Sequence, residues 1–211
     1  MQADYWHNLW ETNEIGFHQG DTNPFLLEFF SQLKLKSNSR VFIPLCGKTL
    51  DISWMLKEGY RVVGVELNES AVKELFRTLS VEPKLKEIGS LTLYSAKDID
   101  IFVGDIFNLN KEILGSVDAI YDRAALVALP KEMRIEYTSH LMDITSSAPQ
   151  FLINFEYEQR LKEGPPFSIS KTEVQNHYSK FYDIKLLKSF KIEGGGFAKI
   201  NAYENIWLLS S

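Results

Sequence analysis

Cysteine is almost missing from this chain: Cys46 is the only one among 211 residues. No disulfide can form within the chain, and no cysteine cluster is available to hold a metal. Positive charge is not in excess either. Lys and Arg total 23 against 28 Asp and Glu, a net charge of −5, whereas a surface that contacts nucleic-acid phosphates needs clustered Lys and Arg. No stretch approaches the about 18 consecutive apolar residues of a membrane-crossing helix. The opening MQADYWHNLW carries Asp4 and lacks a basic segment followed by an apolar one, so no secretory signal is expected there. His7, His140 and His177 have no metal-ligand spacing, and no metal is expected. These absences lead to the expectation of a cytoplasmic, monomeric protein with a small-molecule partner, using neither nucleic acid nor membrane. A single domain over 1–211 is the default at this length.

What is present is an alternation of strands and helices. Trp6, Leu9 and Trp10 recur at helical spacing, and Pro24 suits the first position of a helix carrying Leu26, Phe29, Phe30 and Leu33. Strands are predicted at 40–44, 61–67, 99–104, 117–122 and 151–156. Between them lie a helix with Ile52, Met55 and Leu56 inward and Gly59 as its stop, and a second capped by Asn68 with Val72, Leu75, Phe76 and Leu79 inward. A third opens at Pro130 with Met133, Tyr137, Leu141 and Ile144 inward. Residues 84–97 alternate weakly around Gly89-Ser90, a hairpin pattern. Ser170-Lys171-Thr172-Glu173 is a capping box before another helix, and two consecutive strands near 183–192 and 203–209 close the chain. Such alternation indicates a mostly parallel sheet covered on both faces, with the last pair as an antiparallel edge hairpin.

Doubly wound sheets bind ligands beyond the carboxyl ends of their strands. That rule selects Leu45–Gly47, Glu66, Asp105 and Asp122-Arg123, which are expected to line one crevice. Glu66 stands 19 positions after Gly47, at the end of the second strand, where an acid can accept hydrogen bonds from both ribose hydroxyls. The loop before it, Pro44-Leu45-Cys46-Gly47-Lys48, has one glycine where a pyrophosphate-binding loop needs several. A nucleoside without phosphates fits better, and S-adenosylmethionine is the common one. The plain alternative is that Gly47 only turns the chain and Glu66 is a solvated acid. A nicotinamide dehydrogenase is disfavoured by the same missing glycines.

Taken together and in order, Trp6-x-x-x-Trp10, Gly16-Phe17-His18-Gln19, Pro44-Leu45-Cys46-Gly47-Lys48, Val63-Gly64-Val65-Glu66, Gly104-Asp105-Ile106-Phe107, Tyr121-Asp122-Arg123-Ala124-Ala125-Leu126, Leu129-Pro130 and Gly164-Pro165-Pro166-Phe167 resemble the thiopurine S-methyltransferase family in its bacterial branch, nearly end to end. The resemblance implies an α/β class I S-adenosylmethionine-dependent methyltransferase. Its fold would be Rossmann-like and doubly wound, a mostly parallel seven-stranded sheet with an antiparallel edge hairpin and residues 1–35 as a helical lid. It also implies cofactor contacts at Trp10, Leu45, Glu66 and Arg123, further contacts at Asp105 and Ile106 beside the adenine, and Phe17 near the acceptor.

Elementary chemistry agrees with several of these positions. Aromatic faces attract a sulfonium cation, so Trp6, Trp10 and Phe17 suit a lid over the methyl donor, although an amphipathic helix would carry both tryptophans as core. Arg123 either pairs with Asp122 or turns its fork to a carboxylate or an anionic acceptor. It is the one candidate for positioning substrate, and no residue is assigned as a catalytic base. His18 either touches the acceptor or helps fold the lid. Phe167, in a stiff two-proline loop, either walls the acceptor or covers the core. Cys46 is read as a packing residue. The expected reaction is methyl transfer to thiopurines or other small aromatic or heterocyclic thiols, or to selenium and tellurium species as a metalloid-resistance activity. The alternatives are a non-catalytic S-adenosylmethionine-binding module and a methyltransferase for halide or inorganic acceptors. Animal members of the family carry a second arginine between the last two strands. Residues 188–199 here have none, Lys191 and Lys199 being the remaining candidates, and their three glycines suggest a mobile loop.

Overall fold

The computed structural model describes residues 3–197 and 199–210. Residues 1 and 2 of the expected lid, and Ala198 of the glycine-rich stretch, lie outside them. The chain divides into two compact units, residues 1–119 and 120–211.

The first unit opens with α1 (Ala3–Glu11) and α2 (Pro24–Phe29), the latter running into a 3₁₀ turn over Phe30–Leu33. Asn23 accepts hydrogen bonds from the amides of Phe25 and Leu26, and Pro24 follows it at the helix start, as predicted. Then come β1 (Arg40–Pro44), α3 (Asp51–Lys57), β2 (Arg61–Glu66), α4 (Glu69–Leu79), β3 (Lys84–Ile88), β4 (Leu91–Ala96), β5 (Ile99–Val103) and α5 (Lys111–Leu114). β1 and β2 are parallel, as are β2 and β5, while β3, β4 and β5 form an antiparallel meander. The parallel strands are near-continuous apolar runs because both their faces are covered: Val62, Val63 and Val65 are all buried. Asn68 caps α4 by accepting from the amides of Ser70 and Ala71, and Val72, Leu75 and Phe76 are buried on its inner face.

The second unit comprises β6 (Ala119–Arg123), α6 (Lys131–Thr145), β7 (Gln150–Glu156), α7 (Lys171–Tyr178), β8 (Asp183–Lys191) and β9 (Tyr203–Ser210). β6 and β7 are parallel, and β9 pairs antiparallel with β7 on one side and β8 on the other. The final hairpin is therefore antiparallel, as expected, and its first strand lies outermost. Ser170 caps α7 by accepting from the Glu173 amide at 3.1 Å. The Glu173 carboxylate, however, accepts from buried Arg134 at 2.6 Å.

The architecture is α/β with a parallel core and antiparallel margins. The strand number differs from expectation: nine strands, not seven, are present among the described residues. The two strands beyond the seven are β3 and β4, the hairpin expected over residues 84–97 around Gly89-Ser90. Apart from Ile88, every residue of β3 is exposed, so no clean apolar alternation marks it, and its pairing with β4 defines it as a strand.

Candidate functional site

In the first unit the chain leaves β1 through a strained turn. Leu45 has φ +48° and Gly47 φ +53°, the left-handed region that non-glycine residues rarely occupy. The Cys46 amide donates to the Val65 carbonyl at 3.1 Å, and the Gly47 amide donates to Glu66 Oε2 at 2.7 Å. Glu66 Oε1 accepts from the Asn68 amide at 2.9 Å. The carboxylate is thus held from both sides and is only 7% exposed. Burial raises its pKa, against the hydrogen bonds from the amides of Asn68, Gly47 and Leu67. A phosphate-binding loop presents a concave row of free amides. Here the amides of Cys46 and Gly47 already serve the protein, while the two Glu66 oxygens, with about four lone-pair sites between them, keep acceptor capacity beyond the amides that hold them.

Space is also tight at Gly47, beyond its positive φ. A Cβ there would stand 3.2 Å from Trp10 Cζ2, so the indole of Trp10 lies against the loop. Trp10 meets Phe17 edge-on with centroids 5.4 Å apart, and Trp6 meets Phe17 at 5.7 Å. No residue of α1 is buried, so the two tryptophans are not core residues in the ordinary sense. They form a half-exposed aromatic group over the turn. Lys48 sits 5.6 Å from the Trp10 ring and pairs with Glu74. His7 Nδ1 lies 3.1 Å from Asn68 Nδ2, which ties α1 to the segment following Glu66. His18 closes a turn by donating its amide to the Ile15 carbonyl at 2.8 Å.

Gly104 donates its amide to the Glu66 carbonyl at 2.9 Å, which brings Asp105 and Ile106 beside the end of β2. Asp105 accepts from the Phe107 amide at 3.1 Å and starts the 3₁₀ turn over Ile106–Asn108. Ile106 is buried. The Cys46 thiol is buried near Glu66 and its pKa is pushed well above the usual range, which fits a packing role rather than a nucleophile. Gly64 makes room for it: a Cβ there would meet Cys46 Sγ and Ile101 Cδ1 at 2.9 Å each.

In the second unit, Arg123 ends β6 and is half-buried. Glu204 is raised in pKa by burial, and the Arg123 charge pulls it partly back. Asp122 is buried and accepts from Tyr137 Oη at 2.7 Å and from the Leu126 amide at 3.2 Å. Phe167 donates its amide to the Val127 carbonyl at 2.6 Å, and the Arg134 guanidinium lies 5.9 Å from its ring. Gly164 has φ +90°, and a Cβ there would collide with the Phe167 ring at 2.6 Å. Phe167 lines an open groove of about 530 Å³ with Arg134, Ser168 and Glu173. Phe197, after the glycines, packs against Phe155 and Tyr157 at 5.3 and 5.5 Å, which anchors that stretch on its aromatic end.

The first unit therefore gathers Trp6, Trp10, Phe17, Leu45, Gly47 and Glu66 around one turn, with Asp105 and Ile106 adjoining. The second presents Arg123 and Phe167. Sequence reasoning did not find the His7–Asn68 link, the buried Asp51 that accepts from the Asn23 amide at 2.7 Å, the Asp122–Tyr137 pair, or Arg134. Nothing local marks these residues, since each acquires its role from a partner 15 or more positions away.

Comparison with known proteins gives a consistent result. A family model described as thiopurine S-methyltransferase matches residues 1–195. A thiopurine S-methyltransferase of Teredinibacter turnerae is 48% identical over 210 residues, covering 100% of this chain and 98% of the relative. One of Xanthobacter autotrophicus is 48% identical over 210 residues, covering 99% of each. Among solved structures, the 1,6-didemethyltoxoflavin-N1-methyltransferase of Burkholderia thailandensis, with bound 1,6-didemethyltoxoflavin and S-adenosylhomocysteine, superposes with a TM-score of 0.65 at 12% identity, covering 99% of this chain and 87% of that one. An S-adenosylmethionine-dependent methyltransferase of Anabaena variabilis superposes with a TM-score of 0.64 at 14% identity, covering 98% and 93%. At these identities the structures speak to the fold alone.

Proposed function

The chain belongs to the thiopurine S-methyltransferase family and is an S-adenosylmethionine-dependent methyltransferase; from that premise we propose that it methylates small aromatic or heterocyclic thiols, thiopurines among them. The observation that carries the cofactor side of this reading is the pair of amides, Gly47 and Asn68, that hold the buried Glu66 carboxylate. In this reading the carboxylate accepts from two vicinal ribose hydroxyls, while the amides of the turn are taken up by the protein itself, Gly47 by Glu66 and Cys46 by the Val65 carbonyl. A carboxylate acceptor with few free amides beside it suits an adenosine better than a pyrophosphate.

The bound cofactor supplies an electrophilic methyl group on a sulfonium. Everything else is positioning, because a soft, polarisable nucleophile needs alignment and exclusion of water more than a general base. In this reading Glu66 holds the ribose, Leu45 and Gly47 shape the floor, and Asp105 and Ile106 border the adenine. Trp6 and Trp10 offer aromatic faces to the sulfonium, and Phe17 borders the acceptor. His18 belongs to the fold of the lid, which we take as residues 1–35 of a single working domain. Arg123 fixes a carboxylate or an anionic acceptor with its planar fork. Phe167 contributes an apolar wall. We place the enzyme in the cytoplasm as a monomer. Among the described residues no helix is long and apolar enough to cross a membrane.

The decisive experiment is a panel of acceptors assayed for cofactor-dependent methylation: thiopurines, thiophenols, selenite, tellurite and halides. Turnover of aromatic thiols at rates well above the others supports the assignment. Turnover confined to selenium and tellurium species would move it to metalloid detoxification, and turnover confined to halides would overturn it.

A further inference from the structure

Asp122 is a fully buried acid to which the methyl-transfer reading gives no task. It precedes Arg123 in β6, and consecutive strand residues point to opposite faces. Its carboxylate is clamped between two elements of its own unit. Oδ2 accepts from the Tyr137 hydroxyl of α6 at 2.7 Å, and Oδ1 accepts from the Leu126 amide at 3.2 Å. The Ala125 amide adds a further hydrogen bond. Between Arg123 and these amides the chain reverses through Ala124, at φ +75°, a conformation that surrounding contacts must hold in place. Arg123 is thus flanked by the carboxylate that organises the turn and by the strained residue of the turn itself. Beyond the clamp the core stays polar. Gln150 and Tyr178 are buried and interact with each other, yet the Gln150 amide oxygen and nitrogen and the Tyr178 hydroxyl make no hydrogen bond of good geometry. Poorly satisfied buried polar groups are destabilising relative to apolar ones.

We propose that Asp122 and Tyr137 form a brace that holds Arg123 and the turn after it in working position, and that the brace is engaged only while the Asp122 carboxylate is ionised. This rests on the role assigned to Arg123 in methyl transfer. The groups facing Asp122 within its unit are Tyr137 from α6, Tyr178 from α7, and the amides of Ala125 and Leu126. Burial pushes both tyrosines well above their ordinary range, so they stay neutral and Asp122 is the group that titrates. Burial raises its pKa to about 6, against the pull of Tyr137 and the two amides. A carboxyl whose folded pKa is raised contributes stability that is complete below its unfolded value, near 4, and lost as pH rises through about 6. The ionised, braced form is therefore the less stable one, as expected of a group kept for function.

The test compares pH profiles of kcat/KM for one aromatic thiol in the wild type and in Tyr137→Phe, so that the acceptor's own titration is common to both. Removing a donor to the carboxylate raises its pKa, by roughly one unit. The ratio of variant to wild-type kcat/KM should then fall severalfold between pH 8.5 and pH 6. Asp122→Asn should remove the acid inflection altogether. Amide exchange of residues 124–129, corrected for intrinsic rates, gives a readout that needs no turnover. Protection should drop as pH falls through about 6 in the wild type, and at higher pH in Tyr137→Phe. If the wild type methylates no thiol, the functional reading fails and exchange alone judges the brace. A pH-independent activity ratio with exchange curves that superpose, accompanied only by a lower Tm, would overturn the proposal.

Discussion

Replacing Glu66 with glutamine changes one atom of the side chain and leaves its volume intact, yet Glu66 sits where both oxygens already receive an amide, from Gly47 at 2.7 Å and from Asn68 at 2.9 Å. Glutamine offers one oxygen and one NH₂. Whichever way it turns, a donor faces a donor on one side, and only one acceptor atom remains for the two ribose hydroxyls. A lost hydrogen bond to a charged group is worth about 1.5–3 kcal/mol, so cofactor affinity should fall about 10- to 150-fold. Stability should move less, because two effects oppose each other. The donor clash destabilises the turn, but the variant no longer carries a buried charge. Burial raises the Glu66 pKa, so its contribution to stability is full below the unfolded value of about 4.3 and lost as pH rises through the folded pKa. The Tm of the glutamine variant relative to wild type should accordingly improve from about pH 4 toward neutrality. Isothermal titration with S-adenosylhomocysteine measures the affinity and calorimetric melting the stability. An affinity within twofold of wild type would refute the assignment of Glu66 to the ribose.

Arg123→Ala should lower kcat/KM by roughly one to two powers of ten, the worth of a charged hydrogen bond, with incomplete rescue by lysine; a large melting shift with normal kinetics would make the arginine structural. Residues 3–20 should exchange amide hydrogens more slowly once S-adenosylhomocysteine is added, because the half-exposed Trp6, Trp10 and Phe17 would then have a ligand to close on; equal rates with and without it would remove the lid from the mechanism. Gly64→Ala should destabilise by about 1–3 kcal/mol through overpacking against Cys46 and Ile101, and Cys46→Ala in the same chain should recover part of it; additive losses in that double-mutant cycle would show that the two do not compete for space.

Periodicity and punctuation were enough for most of the local structure, though not for the short 3₁₀ turn over Ile106–Asn108 or for α5. The predicted caps at Asn68 and Ser170 accept from amides two or three residues ahead, and such short-range geometry is written in adjacent residue types. The buried parallel strands were legible because covering both faces of a sheet leaves unbroken apolar runs such as Val62, Val63 and Val65. Glu66 was legible from its spacing to Gly47, and the shortage of glycines in that loop pointed away from a pyrophosphate. The hairpin expected over 84–97 is present, but β3 was its least legible strand, since its largely exposed residues have no buried face to pattern and it takes its regularity from hydrogen bonds to β4. The functions of particular side chains were less legible still. That Gly64 is a glycine because Cys46 fills its space, that Glu173 of the capping box serves Arg134 instead of its own helix start, and that Asp122 answers to Tyr137 and the turn beyond Arg123 are outcomes of packing. Each depends on which side chain arrives from a distant part of the chain to share a buried volume, and burial is what makes an unmet charge or an extra methyl group expensive. The sequence by itself determined the elements, their order and the chemistry at the strand ends; the tertiary structure decided the partners, because partnership is set by proximity in space and by exclusion of water.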